Sequence, residues 1–411
     1  MNYADLDTNL SEEDRAVRDM TRRFALEVMR PAGIALDKLD DPADVIAEGS
    51  ELWDVHRAYR ELGLHKRGIP EHLGGLGPDG FSLNARAIMT EELGYGDGGL
   101  AISLGVQAFP FYYAGMSPHK DVQEWARDYA HDEKGEIIGC WAITEPDHGS
   151  DWTVAGEEWA RNPKMAPSLR AVKRGNEYVL NGQKSAWVSN GTIATHAFLH
   201  VSLEQDKGMQ GTGVCILPLD LPGVSKGKPL DKMGQRALNQ GEIFFEEVVI
   251  PEHYMIVPDV RMGTEIVGAH IWTAANTSMG LTFAGLARSA LDEGLHYAQE
   301  RIQGGEPIIR HQNVRLKLMR MFTAVEAARA LSRQAQAINA ANPPGSLPHG
   351  VACKALATET AFQVASEALQ IHGGNGLTRE YLIEKILRDA RTSMIEDGTN
   401  ETLMIRAAHF L

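Results

Sequence analysis

The spacing of apolar residues changes period twice along this chain, and that change limits what it can fold into more than any other feature. Behind Ser11, which with Asp14 three residues on forms a capping-box pattern, Val17, Met20, Phe24 and Val28 recur at helical spacing. Pro31 is expected to end that helix, and residues 51–62 and 83–95 read as further helices. From about Glu136 the texture shifts to short runs rich in β-branched and aromatic residues, EIIGCWAIT, EYVLNG, HAFLHVSL, TGVCILPL and EIFFEEVVI, broken by Gly, Asn and Pro. After about residue 259 the helical period returns. Ala287, Leu291, Leu295 and Ala298 form one stripe; Leu318, Met321, Val325 and Ala328 a second; Ala357, Ala361, Val364, Ala368 and Ile371 a third. NPPGSLPHG reads as the loop between the last two. Long amphipathic helices with short connections build bundles. The expected fold class is therefore α+β in the order α, β, α, with units at 1–138, 139–258 and 259–411.

A chain of 411 residues is long enough for several packed cores. Its formal net charge of −15 opposes nucleic acid or an anionic membrane as the main partner. No window reaches the ~18 apolar residues that a membrane span needs. The acidic N-terminus, with Asp5, Asp7, Glu12 and Glu13, reads as neither a secretory signal nor a transit peptide. Cys140, Cys215 and Cys353 are few, scattered and odd in number, so no disulfide framework or zinc site is expected, and the compartment reads as reducing cytoplasm.

GLGPDG at 75–80 matches a dinucleotide glycine fingerprint, but no strand precedes it and Pro78 sits inside it, so it reads as a turn. Three other stretches carry polar groups suited to a ligand. WAITEPDHGSD, 141–151, ends a strand and then turns; strand ends offer donors and acceptors to the edge of a planar ring. YVLNGQKSAWVSNG, 178–191, contains NG at 181–182, a strong hairpin signal, and Trp187, whose flat face suits either the core or a cofactor ring. ALQIHGGNGLTREYLIEKILRDARTSMIEDGTNE, 368–401, has a Gly-rich loop able to approach a pyrophosphate, then Glu396 and Asp397, which alone read as an exposed acidic turn. Gly105 and Gly280 hint at room in a pocket, although close helix packing is the favoured reading of both.

In this order and spacing, the three stretches resemble the acyl-CoA dehydrogenase family over nearly the whole chain. The resemblance implies an N-terminal helical domain, a central β-barrel-like domain and a C-terminal four-helix bundle. It implies FAD lined by Trp141, Ile143, Thr144, Trp187 and Ser189, with Ser150 touching both flavin phosphate and the CoA arm. Arg301, Gln312, Gln370, Gly373 and Gly374 match positions that reach FAD across a subunit interface, and Thr399 and Glu401 match adenosine-side contacts. The implied assembly is a dimer of dimers, and the implied electron acceptor is an electron-transfer flavoprotein. The implied reaction is α,β-dehydrogenation of an acyl-CoA, in which a carboxylate removes the α-proton while hydride leaves the β-carbon.

The chain also departs from the family. RDARTSMIEDGTNE places Asp397 where the family has a catalytic Glu, one methylene shorter, with Glu396 beside it as second choice. Neighbouring side chains are expected to point apart. Ala275 stands where some relatives carry the base, Asn276 replaces an Arg, Gly304 and Gly305 follow Arg301 where an aromatic is usual, and residues around Trp159 to Ser168 are inserted. These departures suggest a branched or cyclic acyl group. The competing readings are a nitroalkane oxidase-like flavoprotein, which would use Asp397 on a small carbon acid, and a catalytically idle flavoprotein of the same fold.

Overall fold

The computed structural model describes residues 10–78, 80–155, 157–257 and 268–411. Asp5, Asp7, Asp79 of the GLGPDG turn and the expected boundary at 258/259 lie outside the described residues.

The N-terminal unit is helical. Ser11 caps Glu12–Phe24 by accepting the Asp14 N–H at 3.0 Å, the bond its spacing predicts. Pro31 does not stop the chain. The turn Ala25–Met29 widens to π geometry, and helix Arg30–Asp37 resumes with Pro31 in its first turn, where a missing N–H costs little. Glu51–Glu61 and Leu83–Gly96 follow, packed on a core that includes Phe24, Leu52 and Leu93.

The middle of the chain forms an eight-stranded sheet. Its path runs β6 (Val224–Lys226), β7 (Gln240–Pro251), β3 (Glu177–Ser189), β2 (Arg170–Arg174), β4 (His196–Ser202), β5 (Thr212–Pro218), β8 (Met255–Val257), with β1 (Gly139–Ala142) parallel to β4. β4 and β5 read as nearly unbroken apolar runs because both their faces are covered. Leu199, Cys215 and Leu217 enter the sheet's own core, while Phe198, Val214 and Ile216 pack against Phe111 and Tyr129 of the helical unit. Asn181-Gly182 is not the hairpin turn its sequence suggests. β3 continues through it as one strand, with a register shift opposite β7 and Gly182 at φ 135°. Asn181 spends its side-chain amide on Glu247, accepting the backbone N–H at 2.9 Å and donating to the carboxylate at 2.7 Å, which builds a bulge in place of a turn.

Three long helices, Gly268–Glu300, Gln312–Ala341 and Leu347–His372, and the shorter Leu382–Ser393 make the bundle. The expected stripes meet in one core, with Leu291, Met321, Val325, Ala361 and Val364 among its buried members. The loop before Leu347–His372 is shorter than expected, because Leu347-Pro348 already opens the helix, where Pro is tolerated. Glu91 of Leu83–Gly96 ties the N-terminal unit to the bundle, with Arg288, Arg329 and Arg333 each 2.7 Å away.

Candidate active site

A cavity of about 870 Å³ lies where the three units meet. The sheet contributes Trp141, Ile143, Thr144, Ser150, Trp187 and Ser189, and the bundle contributes Ala275, Glu396 and Asp397. Eight expected site residues thus converge in one space. Thr399 stands just behind it, its N–H donated to Ser150 Oγ at 3.1 Å and its hydroxyl capping helix Asn400–Ala408, on whose first turn Glu401 is exposed.

The sheet side is rigid and polar at its rim. Trp141 Nε1–H donates to His200 Nε2 at 3.0 Å, and burial pushes that imidazole down to about 3, so it accepts as a neutral ring. The Ile143 carbonyl accepts from Lys184 Nζ at 3.1 Å, and Lys184 is paired at 2.7 Å with Glu145, both side chains wholly buried. Burial would raise the Glu145 carboxyl, but Lys184 and the Ser168 bonds outweigh it and hold it below the usual range. Thr144 gives its carbonyl to the Ser185 N–H, while its hydroxyl, unbonded among the described residues, lines the cavity. Trp187 is not core. It is 57% exposed, a flat apolar face open to the cavity, as are the nearby lining residues Met233 and Ile395. Beside it Ser189 Oγ accepts from Gln240 Nε2 at 3.0 Å, and Gln240 Oε1 accepts from Lys232 Nζ at 2.8 Å.

On the bundle side Glu396 and Asp397 both line the cavity. Asp397 takes φ 52° and Gly398 φ 90°, a left-handed pair that swings the backbone. A Cβ at Gly398 would also lie 2.5 Å from Thr153 Cγ2, so only glycine fits there. Neither carboxylate belongs to an open acidic turn. Burial pushes Glu396 up to about 7, helped by Asp397 and opposed by the bond from Gln235 and by Lys354 and Lys232. Burial also raises Asp397, opposed by Lys354. The two are held differently: Gln235 Nε2 donates to Glu396 Oε1 at 2.6 Å, whereas the Asp397 carboxylate accepts no hydrogen bond among the described residues.

Other expected residues stay apart from this space. Arg301, Gln312, Gln370, Gly373 and Gly374 are exposed on the outer end of the bundle, and a Cβ on either glycine would meet nothing within 4 Å. The insertion folds into short turns, Glu158–Arg161 and Pro163–Met165, whose Ala160 and Met165 pack in the apolar cluster of Trp152 and Trp272 beside the cavity. Gly105 and Gly280 behave differently from one another. Gly280 is a close-packing glycine, with Cys353 Sγ 2.6 Å from a would-be Cβ, but Gly105 lines the cavity with nothing within 4 Å. Sequence reasoning missed Gln235, Gln240, Lys232 and Lys354. For Lys354 one signal was present, a lone charge inside the apolar run VACKALA.

A large cavity with an exposed indole face, hydroxyls in its lining and a carboxylate that accepts no hydrogen bond among the described residues suits a planar redox cofactor and a carbon acid. Comparison with known proteins makes this specific. Residues 11–122, 140–248 and 273–411 match the N-terminal, middle and C-terminal domains of acyl-CoA dehydrogenases. A Bacillus subtilis protein described as a probable acyl-CoA dehydrogenase is 32% identical over 95% of this chain and 96% of its own. The cyclohex-1-ene-1-carbonyl-CoA dehydrogenase of Syntrophus aciditrophicus is 29% identical over 95% of this chain and 88% of its own. The structure of butyryl-CoA dehydrogenase from Megasphaera elsdenii superimposes with a TM-score of 0.83, with 25% identity over 98% of this chain and 99% of that one. The chain belongs to the acyl-CoA dehydrogenase family. Members are FAD-dependent flavoproteins, and this chain is a flavin-dependent oxidoreductase with the family's fold. No described helix is long and apolar enough to cross a membrane.

Proposed function

We propose that this enzyme dehydrogenates a branched or cyclic acyl-CoA between its α and β carbons, with Asp397 as the base. The observation that carries this reading is the difference between the two carboxylates: Glu396 is clamped by Gln235, while Asp397 lines the same cavity as Trp187 and Ser189 and accepts no hydrogen bond among the described residues.

The residues present suit FAD. Trp187 offers its open face to a ring system, Thr144 and Ser189 offer hydroxyls at a ring edge, and Ser150 stands beside the turn that carries the base. Bound FAD supplies the hydride acceptor. The protein's part is to bind, orient and deprotonate. Asp397 takes the α-proton as the β-hydride departs, and its raised pKa makes it a stronger base toward a weak carbon acid. The apolar walls exclude water from the developing enolate-like charge. Because Asp is one methylene shorter than the family's Glu, the α-carbon must sit about 1 Å nearer the Asp397 backbone, and a misplacement of that size costs about 10²-fold. The open space at Gly105 and the width of the cavity give a bulky acyl group room to be placed there. The likeness to a dehydrogenase of a ring-bearing CoA ester supports the same substrate class.

Within this reading the units divide at 138/139 and 258/259. Arg301, Gln312, Gln370, Gly373 and Gly374 serve the FAD of a second copy in a dimer of dimers, and Thr399 and Glu401 attend its adenosine side. An electron-transfer flavoprotein reoxidises the enzyme. The three buried free thiols suit the cytoplasm.

The test is a panel of linear, branched, cyclic and aromatic CoA esters, assayed anaerobically for bleaching of the flavin and aerobically with an artificial acceptor. Fastest reduction by cyclic or branched esters is the expected result. Reduction by nitroethane and by no CoA ester would overturn the proposal in favour of the nitroalkane oxidase-like reading, and reduction by neither would favour an idle flavoprotein.

A further inference from the structure

Lys354 sits in mid-helix on Leu347–His372, among Val351, Cys353 and Ala357, with its side chain wholly buried. An ammonium in that setting is costly unless its hydrogen bonds are made. Its Nζ donates to the Gly398 carbonyl at 2.8 Å and to Asn400 Oδ1 at 2.8 Å, and Asn400 is fixed in turn by Thr358, to whose Oγ1 its Nδ2 donates at 3.0 Å. Those two acceptors lie one and three residues after Asp397, on the turn that carries it. From the sheet side the same turn is held by Ser150 Oγ, which accepts the Thr399 N–H. A left-handed aspartate costs of order 1 kcal/mol or more and persists only where its surroundings enforce it.

We propose that Lys354 is the positioning residue of the base: it clamps the Asp397–Asn400 turn from the bundle side and places a buried positive charge behind the two carboxylates. The inference rests on Asp397 being the base. Its electrostatic setting agrees with the geometry. Burial lowers Lys354 to about 8, and Asp397, Glu396, Glu401 and Glu359 oppose that fall. Lys354 in turn opposes the rise that burial imposes on Asp397. The groups acting on the carboxylate pair are thus Lys354 from helix Leu347–His372, and Lys232 and Gln235 from the segment before β7. A buried lysine that merely satisfied helix and turn carbonyls would affect folding and nothing else.

The two roles separate in the holoenzyme of Lys354→Met, which keeps the apolar stem and loses both the charge and the donors. Without the cation the carboxylate is easier to protonate, so the acid limb of kcat/KM against pH should move to higher pH by about one unit or more. The plateau kcat should fall at least about 10-fold, KM should change less than about 3-fold, and the visible flavin spectrum should remain. Lys354→Arg should return the limb toward the parent position. An acid limb that stays in place in Lys354→Met overturns the inference, whatever happens to kcat. Should Lys354→Met not fold, Lys354→Gln, which keeps a donor without the charge, carries the same test with the same two outcomes. Asp397→Asn distinguishes the two levels of failure. If it still turns over, the base lies elsewhere and the underlying reading fails; if it is inactive and the limb has not moved, only the role of Lys354 fails.

Discussion

The cavity wall and the outer end of the bundle make opposite use of the residues that the sequence marks as functional. In the wall, side chains from distant segments converge, each held by neighbours: Trp141 by His200, Ser189 by Gln240, Glu396 by Gln235. At the outer end Arg301, Gln312, Gln370, Gly373 and Gly374 are exposed, and the two glycines face open space. The first set is pre-organised within one chain. The second has no such support from its own chain, and under the proposed dimer of dimers its order would come from the partner and the cofactor.

The largest effect expected on either side is that of Asp397→Asn. It should leave the yellow cofactor bound and lower the rate of anaerobic flavin reduction by about 10³-fold or more, since a positioned base contributes about 10²–10⁴-fold. Undiminished reduction would move the base to Glu396 and make the clamp by Gln235 a catalytic contact.

Next comes the rigidity of the wall. Lys184→Met leaves Glu145 buried without its partner, behind the loop that presents Ile143 and Thr144. Breaking a buried pair in this way costs about 3–5 kcal/mol. Thermal unfolding should show a corresponding drop, together with weaker FAD retention. A variant as stable as the parent would mean that the wall does not depend on that ion pair.

The outer end is tested by complementation. Arg301→Ala should weaken FAD binding about 10–100-fold through the loss of a charge-assisted hydrogen bond, without changing the cavity of its own chain. Trp187→Ala should also lose cofactor. If Arg301 acts across an interface, co-assembled Trp187→Ala and Arg301→Ala chains contain one intact site per mixed pair, and half of the sites in purified mixed pairs should regain flavin. No recovery would erase the distinction between the two regions.

How far the sequence disclosed these features follows from which forces are local. The three helical stripes and the five apolar runs were legible because periodicity records burial directly. Pro31 and Asn181-Gly182 misled because each local signal was overridden by a non-local or irregular feature, a π turn in one case and a side-chain bond to Glu247 in the other. The cavity residues of the wall were legible only through family resemblance, since nothing local brings Gln235 to Glu396, 161 positions away. Lys354, Gln235 and Gln240 act through contacts that no motif records. The left-handed backbone at Asp397 is likewise something that an aspartate does not advertise.

The smallest effect expected concerns Glu396, and it shows that even the well-built wall is strained. Its carboxyl titrates near 7 in the folded chain against an ordinary value of 4.5, chiefly because it is buried. Between those values the folded form retains a proton that the unfolded form has released. Stability therefore declines as pH rises across that window, and the full cost is present above pH 7. Glu396→Gln removes the titrating group while keeping an oxygen to accept from Gln235. The variant should match the parent near pH 4.5 and exceed it above pH 7 by on the order of 1–2 kcal/mol, discounted from the full shift because the group borders the open cavity. Denaturant midpoints measured across this range give the difference curve directly. A difference that does not grow with pH would mean that Glu396 is already ionised at little cost, with Lys232 and Lys354 outweighing burial, and the two carboxylates would then compete for the same proton.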